Sequence, residues 1–306
     1  YTVTHTIAAR TRGTISLASD FPLATTANHD SYLYAVSLLV TTDLPVVVEL
    51  PSYFTIPNSP AQLAFASGTD EIGSPNPQTS WDFAEGYTGA PNAPFLTYLD
   101  LANFGNMPSQ ATLTLSITGA GNAHSTQTYQ LTVAPQASAS VLLNALVCSS
   151  TNQYCGDALA THVQATQPLV ADRQMYFNYQ RHIKGSTAVV GSSSGPQPAF
   201  YFAEGYTGQN FSEYLTIINP GTNAAIETVT IRYLIQGGAS KSVTIMHLPP
   251  GQRWTENVNA DVGPNRSVSV IVSVNTGTLL VERPMYFHYQ TLAFGGSDVI
   301  GYVPGA

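Results

Sequence analysis

Phe83-Ala84-Glu85-Gly86-Tyr87-Thr88-Gly89 returns unchanged as Phe202-Ala203-Glu204-Gly205-Tyr206-Thr207-Gly208, and a chain that repeats itself in this way repeats a structural unit. Downstream, Phe95, Tyr98 and Leu99 answer to Phe211, Tyr214 and Leu215, the first copy carrying three extra residues near Ala90 to Pro94. A second signature comes late in each unit. Ala171-Asp172-Arg173-Gln174-Met175-Tyr176-Phe177 matches Val281-Glu282-Arg283-Pro284-Met285-Tyr286-Phe287, and a further aromatic follows each, Tyr179 and Tyr289. Both units then run through a Gly-Ser stretch, Gly185-Ser186-Thr187 and Gly296-Ser297-Asp298, to end at Gly191 and Gly301.

The residues before Trp81 match only the second half of this unit. Val46-Val47-Val48-Glu49-Leu50-Pro51-Ser52-Tyr53-Phe54 takes the place of the late signature, and Gly68-Thr69-Asp70-Glu71-Ile72-Gly73 that of the closing stretch. Tyr1-Thr2-Val3-Thr4 then aligns with Tyr129-Gln130-Leu131-Thr132. The expected division is a half-unit at 1–80 followed by whole units at 81–199 and 200–306.

Within a unit the apolar residues alternate with polar ones, as in Ala111-Thr-Leu-Thr-Leu-Ser-Ile117, Thr228-Val-Thr-Ile-Arg-Tyr-Leu234 and Ser267-Val-Ser-Val-Ile-Val-Ser273. Turn residues such as Gly237-Gly238 and Pro249-Pro250-Gly251 punctuate them, and no window shows a helical stripe. The fold class is therefore all-β, with tandem immunoglobulin-like β-sandwich repeats of about seven short strands each. A closed barrel is the other architecture this pattern allows.

The paired signatures, Phe-Ala-Glu-Gly-Tyr-Thr-Gly and Glu-Arg-Pro-Met-Tyr-Phe, resemble a tandem repeat of large secreted and surface-attached bacterial proteins. The resemblance covers 81–306 well and 1–80 in outline, where Leu50-Pro51-Ser52 stands in place of Arg-Pro-Met. It implies an extracellular or cell-surface location and a modular build more than an activity.

Only 9% of the 306 residues are charged and 43% are hydrophobic, against about 25% charged in an average soluble protein. That balance argues against disorder. A net charge of -8, with Lys184 and Lys241 the sole lysines, argues against a nucleic-acid surface. Apolar runs such as Leu279-Leu280-Val281 are strand-sized, so no membrane-spanning helix is expected. Cys148 and Cys155 are expected to form a disulfide, worth about 2.5 kcal/mol by loop entropy, in an oxidising compartment.

In so uncharged a chain the repeated ionic residues call for a reason. One reading pairs carboxylates, Glu85 with Asp172 and Glu204 with Glu282, as in glycoside hydrolysis. The other, preferred, is a partly buried structural ion pair, Glu85 with Arg173 and Glu204 with Arg283. The half-unit lacks the glutamate and, at Leu50, the arginine as well, which is what a pairing requires, since a buried arginine left alone costs several kcal/mol. The joint loss also points to a protein that begins in mid-unit.

Asn257-Val-Asn259-Ala-Asp261-Val-Gly263 has the oxygen spacing of a calcium loop without its late acid, and an ordinary strand-end turn is the preferred reading. The seven histidines, His5, His29, His124, His162, His182, His247 and His288, show neither metal spacing nor recurrence. No metal, cofactor or catalytic residue is expected, and no enzyme. The aromatics Tyr176, Phe177, Tyr179, Tyr286, Phe287 and Tyr289, with Tyr87 and Tyr206 in glycine-flanked turns, are candidates for packing between units, for a partner surface or for sugar stacking. The function expected is that of a non-enzymatic structural subunit of a surface filament, sheath or layer, its partner itself or other surface proteins, with strand complementation as one mode of assembly. The alternative is an adhesin or glycan-binding module.

Overall fold

The structure is a computed structural model that describes residues 2–20, 37–56, 65–220, 224–290 and 293–305. Tyr1 and His29 lie outside them. The chain forms two compact units, residues 1–34 and 35–306. The described residues of the first include one helical turn, α1 (Leu17–Asp20), with His5 Nε2 3.4 Å from Asp20 Oδ2. Its described residues include no strand, so Thr2-Val3-Thr4, which aligns with a strand by sequence, is exposed chain of another form.

The second unit is all-β, folded from several sheets in a manner consistent with β-sandwich packing. It opens with an antiparallel pair, β1 (Ser52–Ile56) and β2 (Phe65–Thr69). Next come β3 (Gln78–Phe83), β4 (Gly89–Ala90), β5 (Ala93–Asn103), β6 (Ser109–Thr118), β7 (His124–Val133), β8 (Ala137–Leu142), the short helix α2 (Leu143–Val147), β9 (Ala158–Tyr179) and β10 (Ile183–Val190). One layer has the order β3-β9-β6-β7 and the other β8-β5-β9-β10, the long β9 serving both. Trp81, Phe83, Leu101, Leu113, Leu115 and Val163 fill the space between them.

The later residues repeat this order. They form β11 (Ala199–Phe202), β12 (Phe211–Ile218), β13 (Ile226–Ile235), β14 (Lys241–Leu248), β15 (Arg253–Asn257), α3 (Val258–Val262), β16 (Val268–Val274), β17 (Leu280–Glu282), β18 (Met285–Tyr289) and β19 (Ala293–Ser297). The layers are β11-β16-β13-β14 and β15-β12-β17/β18-β19, over a core that includes Phe200, Leu215, Ile231, Val270 and Leu280. Period-two patterning explains the layers, since β6 buries every second residue from Ser109 to Ile117.

Where the first body has one strand, β9, the second has three. Gly277, at φ +87, turns the chain between β16 and β17, and Pro284, which has no N–H to give, interrupts the ladder between β17 and β18. Gln174 stands at the place of Pro284 in the first body, and β9 continues through it, paired there with Tyr98.

Three strand pairs match residue for residue. Tyr53 lies opposite Gly68, Tyr176 opposite Ser186, and Tyr286 opposite Gly296. The N–H groups of Gly73, Gly191 and Gly301 donate to the carbonyls of Val48, Ala171 and Val281, at 3.2, 3.0 and 3.2 Å. The pairs stack in chain order, β2 on β10 and β10 on β19. Glycine permits the second contact, because a Cβ at Gly185 would stand 2.8 Å from Phe177 Cζ and 2.9 Å from Gly295 Cα. Gly185→Val should therefore cost about 1–3 kcal/mol by overpacking, read as a lower urea midpoint with an unchanged denaturant slope.

Candidate functional site

The charged signatures meet where the two sandwich-like bodies join. Arg173, 1% exposed, extends from β9 into this junction. Its Nη1 donates to the carbonyl oxygen of Glu85 at 2.8 Å and to Glu282 Oε2 at 2.7 Å, and its Nη2 donates to Asp298 Oδ2. The other oxygen of Glu282 accepts the N–H of Ala84 at 2.6 Å. Arg253 comes from the opposite side, its Nε donating to the Ala84 carbonyl at 2.7 Å and its Nη2 to Glu85 Oε2.

This corrects the pairing of Glu85 with Arg173. The guanidinium takes the glutamate's main-chain carbonyl, while the carboxylate goes to Arg253, a residue outside both signatures. Glu85, Glu282 and Asp298 face only Arg173 and Arg253, so one carboxyl is left without a guanidinium of its own. Burial, with Glu282 close by, pushes Asp298 well above the ordinary aspartate range despite the pull of Arg173.

At the far end of the second body the same residues are arranged differently. Arg283 Nη1 lies 2.7 Å from Glu204 Oε2, but the Glu204 side chain is 64% exposed. Glu213, fully buried, lies 3.9 Å from the same nitrogen, and burial pushes its carboxyl up to about 7 against the pull of Arg283. Its counterpart in the first body is Thr97, whose hydroxyl accepts the Tyr87 N–H at 3.2 Å and donates to the Tyr87 carbonyl at 2.8 Å.

The carboxylate pairs of a glycosidase do not assemble. Asp172 turns away from Glu85 toward Glu71 and Asp100, and Glu282 turns away from Glu204 toward Arg173. Glu71, Asp100 and Asp172 are all pushed above their ordinary values, chiefly by burial. Asp172 is raised further by the two acids beside it, with only Arg173 pulling it down. This cluster sits where the first strand pair meets the first body.

The aromatics occupy the same two junctions. Tyr176 meets Phe54 edge-on at 5.4 Å and Tyr98 at 6.0 Å. On the other side Phe177 stacks on Phe95 at 5.6 Å, and Tyr286 enters from the second body edge-on to Phe177 at 5.0 Å and stacked on Tyr179 at 4.4 Å. Tyr87 packs edge-on to Phe95. Phe211, Phe287, Tyr206 and Tyr289 form the corresponding cluster at the far end, with Tyr206 37% and Tyr289 50% exposed.

The suspected calcium loop is committed to the fold. Asn257 caps α3 by accepting the Ala260 N–H at 3.1 Å, and Asp261 accepts the Tyr233 hydroxyl at 2.5 Å. Asn259 accepts the Glu213 N–H at 2.8 Å and donates to the Phe211 carbonyl at 2.8 Å. Asn144 does the same for Thr97 and Phe95, so Asn144 and Asn259 are counterparts. Cys148 and Cys155 form a disulfide with Cα atoms 5.6 Å apart. Among the described residues no three His, Cys, Asp or Glu side chains form a metal-sized cluster, and no helix is long and apolar enough to cross a membrane.

The chain matches no known protein family and no curated protein. Among solved structures it is similar to Thermotoga maritima 1070, at 14% identity over 38% of this chain and 94% of that one, with a TM-score of 0.30. It is also similar to red sea bream transglutaminase, at 10% identity over 76% of this chain and 32% of that one, with a TM-score of 0.16. At these scores neither likeness bears on function.

Two identical heptapeptides in different surroundings allow a direct comparison. Glu85→Gln strands Arg253 in the junction and should cost about 3–5 kcal/mol, whereas Glu204→Gln, at the exposed pair, should cost no more than about 1 kcal/mol, both by chemical denaturation. The acid cluster predicts a pH dependence. Carboxyls raised on folding favour the native state fully below about pH 4, and the gain is lost as pH climbs through their raised values. Amide protection of residues 66–72, after correction for base-catalysed intrinsic exchange, should fall on going from mildly acidic to neutral pH, and Asp172→Asn should flatten that fall.

Proposed function

We propose that the chain is a non-enzymatic structural protein of the cell exterior, a subunit of a surface filament, sheath or layer whose body is a tandem of immunoglobulin-like β-sandwiches. One observation carries the reading: the pair β1 and β2 has the register of the pairs that close the two bodies, but the stretch leading into it is exposed. In the second body Leu279, Leu280 and Val281 are fully buried, and β17 pairs along β12. The corresponding Val46, Val47 and Val48 are 49%, 84% and 36% exposed. Among the described residues this stretch pairs on one side, through the bridge of Glu49 to Ile72 and the hydrogen bonds of Val48 and Leu50 with Gly73 and Glu71.

An exposed apolar stretch paired on one side is a template for another chain. A partner supplying what β12 supplies to β17 would bury the three valines and satisfy the edge, which is strand complementation. The low charge of the chain suits such close packing, since few long charged side chains must be immobilised on contact.

Sedimentation and electron microscopy of the purified chain test this. Open-ended assemblies should form as concentration rises, and Val47→Lys, at the exposed edge, should suppress them. A chain that stays monomeric at millimolar concentration would overturn the reading.

A further inference from the structure

We propose that the exposed copy of the heptapeptide, at Ala203 to Tyr206, is a docking face for a second copy of this chain, whose Tyr53, Glu49 and Asp70 occupy the places that Tyr286, Glu282 and Asp298 occupy within the chain. The proposal rests on the reading of the protein as self-assembling and names the joint.

The internal junction is the template. There, Ala84 is fully buried, Glu85 is 4% exposed, and Tyr286, Glu282 and Asp298 arrive together from the next body. At the far end Ala203 and Glu204 are exposed, and a groove of about 580 Å³ opens beside them, lined by Ala203, Glu204, Tyr206, Leu234 and Ser269. Arg283, the counterpart of Arg173, makes its contacts through Nη1. Among the described residues its Nη2 meets no acceptor, whereas Nη2 of Arg173 holds Asp298. Glu204 folds back onto Arg283 from solvent, in the place where a carboxylate from a following body would be.

The groups that would complete this face stand unused at the other end of the same unit. Strand register identifies them. Glu49 bridges to Ile72 as Glu282 does to Ile300, Tyr53 faces Gly68 as Tyr286 faces Gly296, and Asp70 occupies the position of Asp298 between them. Tyr53 is 85% exposed, and Glu49 and Asp70 are exposed as well. Both acids are opposite in sign to the arginine, and the tyrosine matches Phe287 and Tyr289, the counterparts of Phe177 and Tyr179 on which Tyr286 packs. The ends are complementary to each other and not to themselves, so the contact is head-to-tail and grows without closing. On docking, Arg283 exchanges the exposed Glu204 for Glu49 and Asp70, as Arg173 holds Glu282 and Asp298 in the internal junction.

The test uses two variants at exposed positions, Tyr53→Ala on the strand pair and Tyr289→Ala on the face, so folding is not at issue. Sedimentation of the full chain should show open-ended growth, and either variant alone should weaken association about tenfold or more. An equimolar mixture should stop at a dimer, because each variant retains one sound end. Met246→Ala, at an exposed position elsewhere, should change nothing. If the unaltered chain assembles and the two variants assemble equally well, or their mixture grows past the dimer, this joint is wrong while self-assembly stands. If the unaltered chain stays monomeric, self-assembly falls and the joint with it.

Discussion

The buried guanidinium of Arg173 is the constraint on which the second unit of the chain depends. It holds a carbonyl of the first body and two carboxylates of the second, out of reach of water. A charge so placed tolerates no loosening, because separating its partners would leave ions in a low-dielectric interior. The junction between the bodies is therefore directional. Tyr286 reaches Phe177 and Tyr179 in the same arrangement that brings Glu282 and Asp298 to Arg173.

The other internal junction is built on the same frame with the opposite electrostatics. Leu50 replaces the arginine, and the acid contributed by the following body, Asp172, meets two more acids, Glu71 and Asp100. Burial raises all three carboxyls above their ordinary values, and repulsion from the neighbouring acids adds to it at Glu71 and Asp172. One contact is held by charge, while the other gathers buried acids around an aromatic pair, Phe54 on Tyr176. Strand pairs of equal register thus give junctions of different pH response, and the difference follows from the side chains at Leu50 and Arg173.

Much of the frame was legible in sequence. Period-two alternation marked the strands, the repeated signatures marked both charged clusters, and the match of Val46–Phe54 to the late signature anticipated the register that Tyr53 and Tyr286 share. What escaped was the identity of the partners. Arg253 lies outside both signatures, so nothing in the repeat connected it to Glu85. Asp298 was visible as part of a closing stretch but not as a ligand for an arginine 125 residues earlier. Asn144 and Asn259 hold equivalent places, each tying a short helix to the strand after the heptapeptide, but neither lies in a repeated signature.

By itself, the sequence determined the strands, their alternation and the recurrence of one heptapeptide, because these depend on local chain geometry and on periodic burial. It could not determine that Glu85 would be buried against Arg253 while Glu204 stood in solvent, since the seven residues around each are the same. Only the tertiary structure decided that, by placing a second body over the first copy and leaving the second copy open. The physical reason is that a side chain's partner is set by what the fold brings across from the neighbouring body, and that information lies far away in the chain.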